Sequence, residues 1–388
     1  MKINLAVLFG GKSVEHEISV ISALQAMNSV DKEKYKIFPI YMTKKNEFFL
    51  SDYLLNIEEY KNIPELLKKS TRINLVVEGD KTFIYPRKRK VFSVSKPLGL
   101  IDVAFPIVHG TNVEDGTLQG YLKTLNLPFV GCDVLSSAVC MDKFNTKIML
   151  NFAGFPVLEC LRFTLEDYKN LKNMIQLTQE KFEYPVIVKP INLGSSIGIG
   201  KAKNVEELEN IIADAFLFAN KIIIERAVSD MKEINCSVIG DSVEAIASEC
   251  EEPIGYNELL SYSDKYEGGG KGMAGSQRKI PADISYDTKN KIQQLAVDSF
   301  KFLDCNGVAR IDFLIDNSTG EIWLNEVNTI PGSLSFYLWE PAGLKYPQLI
   351  DKLISLALSR KRKEEDIMYS FDTNILEDGS FGSKGSKN

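Results

Sequence analysis

The sequence predicts an α/β protein of two or three domains. Three observations carry that reading. The chain has 388 residues, more than one simple core accommodates. Its first ~130 residues alternate strand and helix signals, the pattern of an open α/β sheet. The remainder is richer in paired strands, which gives it an α+β character.

Composition narrows the function classes. Hydrophobic content of 44% and charged content of 25% are ordinary for a soluble globular chain. A net charge of -6 argues against a general nucleic-acid binder. No apolar run reaches the ~18–20 residues a membrane helix requires. Neither nucleic acid nor a membrane is therefore expected as a partner. The opening MKINLAVLFGG starts like a signal peptide, but its apolar stretch is short and breaks at two glycines, which makes it a buried first strand. Six cysteines, at 132, 140, 160, 236, 250 and 305, are scattered without a CxxC pair. They read as reduced thiols in a cytoplasmic protein. His16 and His109 are the only histidines, which excludes most His-rich zinc sites.

In chain order, INLAVLF is the first strand and runs straight into Gly10-Gly11. Val14, Ile18, Ile21 and Leu24 then recur at helical spacing. Strand, glycine turn and helix outline a nucleotide-binding βα unit. Yet the turn carries Glu15-His16-Glu17, and a carboxylate is out of place against phosphate. YKIFPIYMT is a second strand and residues 57–70 a charged helical stretch. DKTFIYPRKRKVFSVS, from residue 80, is a hairpin or insertion with a basic tip, and LIDVAFPIVHG is a further buried strand.

A second block opens at VGCDVLSSAVCMDKFNTKIML, and its YPVIVKPINLGSSIGIGKA reads as two strands around a glycine-serine loop. The third block holds KIIIERAVSDMKEINCSVIG, SVEAIASEC, a glycine-rich loop at 267–276, a helix at 286–303 and the strand pair GVARIDFLID and EIWLNEVNTI. A helix at 346–360 follows. The tail after it has little core-forming pattern and is expected to be disordered, its basic run capping the helix end. No internal repeat is visible.

Three stretches carry chemistry. In GSSIG, at 194–198, glycines let the backbone approach a polyphosphate while serine hydroxyls and amides aim donors at it. Lys189, five residues upstream, ends the preceding strand and can set a compact charge on the phosphates. A glycine-serine hairpin without ligand fits the same residues, and the spacing is not that of a Walker loop. RIDFLID and LNEVNT place Arg310, Asp312, Glu326 and Asn328 on neighbouring strands, each pair pointing to one face. Two carboxylates and an amide oxygen make a hard-oxygen cluster suited to Mg2+ bridging nucleotide phosphates. In HGTNVEDGTLQGYL, Asp115-Gly116 marks a helix start, and His109 and Glu114 lie in a loop after a buried strand, the usual place for binding residues. His109 alone reads equally as a structural histidine or a substrate contact.

GGKSVEHEIS, HGTNVEDGTLQG, VKPINLGSSIGI, SDKY, ARIDF and NEVNTIPGS stand in the order in which similar stretches occur in D-alanine–D-alanine ligases, the ATP-grasp enzymes of peptidoglycan synthesis. The chain resembles that family over roughly residues 3–360. The resemblance implies an ATP-grasp fold in three domains. These are a Rossmann-like substrate-binding domain at 1–131, a central ATP-grasp subdomain at 132–225 and a C-terminal one at 226–362, with a tail at 363–388.

It also implies roles. Lys147, Lys189, Ser195, Ser196 and Lys265 match residues at ATP, Glu225 the residue at adenine and Glu233 the one at ribose, although RAVSDMKE is one residue longer than the usual spacing. Asp312, Glu326 and Asn328 match the ligands of two Mg2+ ions, with Mn2+ as a substitute. Glu15 matches the residue that faces the ammonium of the first D-alanine, with Ser195 and Tyr266 linked to it across the site under a glycine-rich lid. Arg310 and the Gly332 amide match the oxyanion-binding groups. His109 falls at the substrate. Partners implied are ATP and D-alanine, and the family is often dimeric, so a homodimer is expected.

Two departures stand out. Val113 occupies a position that is usually glycine in HGxxGEDG. PGSLSFYLWEP lacks the histidine-serine pair that contacts the acceptor's carboxylate, and Ser333, Ser335 and Tyr337 are the polar side chains available instead. A D-alanine–D-serine ligase is therefore the close alternative. Tyr266 favours an amine acceptor over D-lactate. A dinucleotide oxidoreductase would need a GxGxxG turn and an acid ending the second strand, and both are missing. A non-catalytic nucleotide-binding relative would be expected to have lost Arg310 or the metal carboxylates, which are present.

Overall fold

The computed structural model describes residues 2–87, 96–194, 197–254 and 278–369. The first unit opens with β1 (Ile3–Gly10), α1 (His16–Ser29), β2 (Tyr35–Met42) and β3 (Phe48–Leu50). It continues through α2 (Ile63–Lys68), β4 (Thr71–Glu78), β5 (Lys81–Pro86), β6 (Gly99–Ile101), β7 (Val103–Val108) and α3 (Thr117–Thr124). Seven strands pair in the order β6-β5-β4-β3-β2-β1-β7. β1 lies parallel to both β2 and β7, and antiparallel strands extend the sheet from β2 outward. Central strands of this kind are buried on both faces and read as continuous apolar runs, as LAVLF does: Leu5 to Phe9 are fully buried.

The second unit comprises α4 (Val134–Met141), α5 (Lys143–Phe152), β8 (Cys160–Thr164), α6 (Leu171–Lys181), β9 (Val186–Pro190), β10 (Gly200–Ala202), α7 (Val205–Phe218) and β11 (Lys221–Arg226). Its four strands form an antiparallel sheet, β10-β9-β11-β8. The third contains β12 (Met231–Gly240), β13 (Ala245–Pro253), β14 (Arg278–Lys279), α8 (Tyr286–Phe302), β15 (Gly307–Asp316) and β16 (Ile322–Asn328), paired as β14-β13-β12-β15-β16. α9 (Phe336–Trp339) and α10 (Tyr346–Glu365) close the described chain.

The cores cross these sequence blocks. Cys132, Cys140 and Leu150, from the α4–α5 region, pack with α8 and the five-stranded sheet. Leu349, Ile350, Leu353 and Ile354 of α10 join the core of the seven-stranded sheet. Among the described residues no helix is long and apolar enough to cross a membrane.

Local differences from the sequence expectation have local causes. The charged stretch at 57–70 is a 3-10 turn over Ile57–Asn62 followed by the short α2; only Leu66 of the two is buried, while Tyr60, Ile63 and Leu67 pack partly against the same core. Pro64 starts α2 at a position where its missing N–H costs nothing. The string from residue 80 begins as β5, paired on both sides, and its basic tip lies outside the described residues. The helix expected at 346–360 runs on to Glu365, so the first residues assigned to the tail are helical. Arg360 fastens it by donating to the carbonyls of Gly131 and Phe129, both at 2.7 Å.

Candidate active site

The crevice outside the carboxyl ends of β1 and β7 is where an open α/β sheet presents ligand-binding groups. Gly11 makes the turn there with a φ of +94° that side chains rarely adopt, and a Cβ on it would lie 2.5 Å from Val113 Cγ1. The bulky residue at the usual glycine position thus packs on the glycine turn itself. Glu15 follows at the N-cap of α1 but does not cap it. Its carboxylate reaches between two glycines: a Cβ on Gly110 would be 2.9 Å, and one on Gly194 2.8 Å, from Glu15 Oε2. Gly194 of the second unit therefore meets the carboxylate of the first. His16 is buried, with Nδ1 2.6 Å from the Gly11 carbonyl and Nε2 2.8 Å from the Tyr41 hydroxyl.

The β7 loop holds the segment after β16 by side chains. Glu114 accepts hydrogen bonds from Gly110 N–H (3.0 Å), Ile330 N–H (2.8 Å) and the Thr329 hydroxyl (3.2 Å). His109 has Nδ1 2.8 Å from the Ile330 carbonyl and Nε2 3.1 Å from Ser22 Oγ. Ser22 Oγ also accepts the Ser333 N–H at 3.0 Å. Both peptide groups of Ile330 are gripped, two residues before Gly332. Burial lowers His109 to about 4, and raises Glu114 to about 7 with help from the Glu15 charge.

Between the four- and five-stranded sheets lies a second set of groups. Lys147 and Lys189 both pair with the buried Glu225, Lys147 at 3.0 Å. Burial would raise the Glu225 carboxyl, but the two ammonium groups outweigh it and hold it at about 2. Lys189 also donates to Asn325 Oδ1 of β16 at 3.0 Å, which ties one sheet to the other. Lys143 pairs with Glu326 at 3.3 Å and donates to the Leu193 carbonyl at 2.7 Å. Glu326 is held at about 2, burial being overcome by Lys143, Arg310 and Lys189.

The five-stranded sheet lines up the remaining groups by register. Arg310 stands opposite Asn328, and Asp312 opposite Glu326. The register then shifts, with Phe313 opposite Leu324, so Asn325 is the extra residue of a β-bulge. Strict alternation would send Asn325 to the far face from Glu326, and the bulge lets both serve the cleft. Arg310 donates Nε–H and Nη2–H to the two Asp312 oxygens, each at 2.7 Å. Asn328 Nδ2 donates to Asp312 Oδ2 at 3.0 Å. Burial, together with Glu326 and Glu233, raises Asp312 to about 7 in spite of Arg310, while Asp312 keeps the buried guanidinium firmly charged against desolvation.

Several expected groups stand differently. Ser333, Leu334 and Ser335 form a left-handed run with φ from 50° to 54°. Ser333 donates to Gln25 of α1 at 2.6 Å, and the Ser335 hydroxyl is wholly buried with no hydrogen-bond partner among the described residues. The Tyr337 hydroxyl donates to Glu251 at 3.2 Å. His109 has both ring nitrogens engaged by protein, Nδ1 at the Ile330 carbonyl and Nε2 at Ser22. The Glu225 carboxylate, expected at adenine, is taken up by two lysines. Ser195, Ser196, Lys265 and Tyr266 lie outside the described residues. Lys143 and Asn325 were not singled out as site residues from sequence, whereas Glu114 was noted with His109 in the loop after β7. Lys143 shares MDKFNTK with Lys147 and was legible there; Asn325 was hidden by the bulge.

The family profile "D-ala D-ala ligase N-terminus" matches residues 4–132 and "D-ala D-ala ligase C-terminus" residues 149–355. The D-alanine–D-alanine ligase of Thermosipho melanesiensis is 39% identical over 376 residues, 96% of this chain and 98% of that one. The solved D-alanine-D-alanine ligase of Coxiella burnetii superposes with a TM-score of 0.78 at 31% identity, covering 94% of this chain and 96% of that one. The VanG D-Ala:D-Ser ligase of Enterococcus faecalis gives 0.76 at 31% identity, over 92% and 100%. Matched in both halves by its profiles and over nearly the whole length by its members, the chain belongs to the D-alanine–D-alanine ligase family, with the ATP-grasp fold.

Proposed function

We propose that the chain joins two D-alanine molecules into D-alanyl-D-alanine, converting ATP to ADP and phosphate, for peptidoglycan precursor synthesis in the cytoplasm. One observation carries the reading: Glu15, the lysines around Glu225, and the Arg310–Asp312 pair converge on one region although they come from three different units of the chain. Glu15 meets the ammonium of the first D-alanine, which is what a carboxylate at this turn suits. The γ-phosphoryl group of ATP passes to that D-alanine's carboxylate and gives an acyl phosphate. Lys143, Lys147 and Lys189 supply positive charge along the phosphates, a transfer that depends on positioning and charge neutralisation.

Asp312, Glu326 and the Asn328 amide oxygen fit two Mg2+ ions, Mn2+ serving also. Among the described residues no group of three His, Cys, Asp or Glu side chains could hold a metal by itself; ions held by these residues would complete their shells with phosphate oxygens and water. When bound, such ions neutralise charge between the phosphates. The amine of the second D-alanine then attacks the acyl carbon. Arg310 and the Gly332 N–H hold the oxyanion, and phosphate leaves. His109 and Glu114 position Gly332 through Ile330. Glu233 serves the ribose. Ser195, Ser196, Lys265 and Tyr266 keep the phosphate and lid roles that their motifs suggest. The three sheets support the domain division at 131 and 225, with α4 and α5 bridging to the third sheet, and a homodimer remains the assembly we assign.

Incubation with ATP and millimolar D-alanine tests this. Phosphate and D-alanyl-D-alanine are expected in equal amounts; neither appearing would refute the assignment. The likeness to VanG makes D-serine a second acceptor to run in parallel with D-lactate, D-serine giving the smaller yield and D-lactate none.

A further inference from the structure

The second substrate must present its amine to an acyl carbon near Arg310 and Gly332, with its carboxylate one carbon away. A buried or semi-buried carboxylate needs a cation or several donors. Two of the side chains anticipated for that task point elsewhere: Ser333 is bonded to Gln25 on α1, and Ser335 has no exposed surface. Tyr337 remains, and it does not stand alone.

One row of polar residues crosses the five-stranded sheet. Glu326, Asp312, Asn235 and Glu251 are directly opposite one another on β16, β15, β12 and β13. Opposed residues share a face, so the row runs from the phosphate end of the cleft toward the β13–β14 edge. Two strand spacings, ~10 Å, separate Asp312 from Glu251. Beyond Glu251 comes Arg278 of β14, paired with Pro253 and therefore on the same face as Glu251. The Arg278 guanidinium lies over the Tyr337 ring, 4.0 Å from its centroid, and Nη1 is 3.5 Å from Glu251 Oε2. Glu251 Oε1 accepts from Tyr337 and from Asn235 Nδ2, each at 3.2 Å. Tyr337 and Glu251 act electrostatically on Arg310 as well, so the cluster adjoins the oxyanion position.

We propose that Arg278, held over the Tyr337 ring, binds the carboxylate of the second substrate and makes this enzyme selective for acceptors that carry one. The ring contact restrains the guanidinium, and a planar fork takes a carboxylate through two parallel N–H donors. Glu251 holds Arg278 in place by a long contact, and Asn235 and Tyr337 fix Glu251 in turn. The acceptor thus enters from the β13–β14 edge, opposite the nucleotide, and Arg310 stands between the two. This assignment rests on the ligase reading above.

The test compares D-alanine with D-alaninamide as acceptors, using wild type and Arg278→Gln with ATP and a fixed concentration of D-alanine at the first site. The variant should raise the acceptor KM for D-alanine by roughly 10- to 100-fold, as expected for a lost hydrogen bond between charged groups. It should leave the KM for D-alaninamide and for ATP near wild type. Arg278→Lys, which keeps the charge without the fork, should restore part of the difference. An equal effect of Arg278→Gln on both acceptors, or none on either, overturns the assignment while leaving the ligase reading intact. Wild type that forms no dipeptide overturns both.

Discussion

At Ile330, the two flanking peptide groups are held by side chains that burial keeps from their usual charge. Glu114, moved from an ordinary 4.5 to about 7, is favoured in the native state in its protonated form. Its contribution to stability is complete below about 4.5 and is lost as pH rises through about 7. His109, lowered from 6.5 to about 4, runs the other way: its contribution is complete above 6.5 and is lost as pH falls through about 4. Between those limits both grip Ile330 as neutral groups. Glu114→Gln keeps an acceptor for the Ile330 N–H and removes the titration. Its melting temperature should lie below wild type at pH 5, by an amount equivalent to about 1–3 kcal/mol for the Gly110 N–H left unsatisfied. The gap should narrow toward pH 8, where the wild type has lost of order 3 kcal/mol by ionising Glu114. Asp312, also raised to about 7, titrates in both proteins, so the difference isolates Glu114. Parallel melting curves across that range would show that Glu114 is already ionised in the native protein.

Turns and strand registers decide which of these residues meet. The β1–α1 turn is set by Gly11, where both backbone conformation and space exclude a side chain. Gly11→Ala should cost about 1–3 kcal/mol for the left-handed backbone alone, with a further penalty from the Val113 contact. Adding Val113→Gly removes the contact but not the backbone strain, so the pair should recover only part of the loss in urea midpoint. Full recovery would mean that the backbone is unstrained there. The glycine turn, the Asp115–Gly116 helix start and the Arg310–Asp312 face were legible in sequence because each depends on residues within a few positions. The bulge at Asn325 was not. It exists only in the pairing of β16 with β15, and nothing in LNEVNT announces an extra residue. The same limit applies to Ser333 and Ser335. Their spacing offers hydroxyls to an acceptor, but the left-handed run that turns them away is stabilised by α1, some three hundred residues earlier in the chain.

Across the whole molecule, the order of motifs was legible, and the way three sheets share one cleft was not, since cores that join α10 to β1 or α4 to β15 leave no local trace. The contact between the second and third sheets turns on charge. Glu225 is 1% exposed and lies between two lysines, of which Lys189 also reaches Asn325 on the opposite sheet. Two cations share one anion, and the net positive charge left over is suited to phosphate. Glu225→Gln removes the only carboxylate paired with Lys147 among the described residues and leaves both ammonium groups buried beside an amide. Breaking a buried pair in this way costs about 3–5 kcal/mol, which a denaturant titration of the nucleotide-free protein will read. ATP phosphates can then supply the missing negative charge, so the rise in melting temperature on adding ATP should be larger in the variant than in wild type. A carboxylate acting mainly on adenine predicts the reverse: near-normal stability without nucleotide and a smaller rise with ATP. The two roles for Glu225 are separated by the sign of that difference.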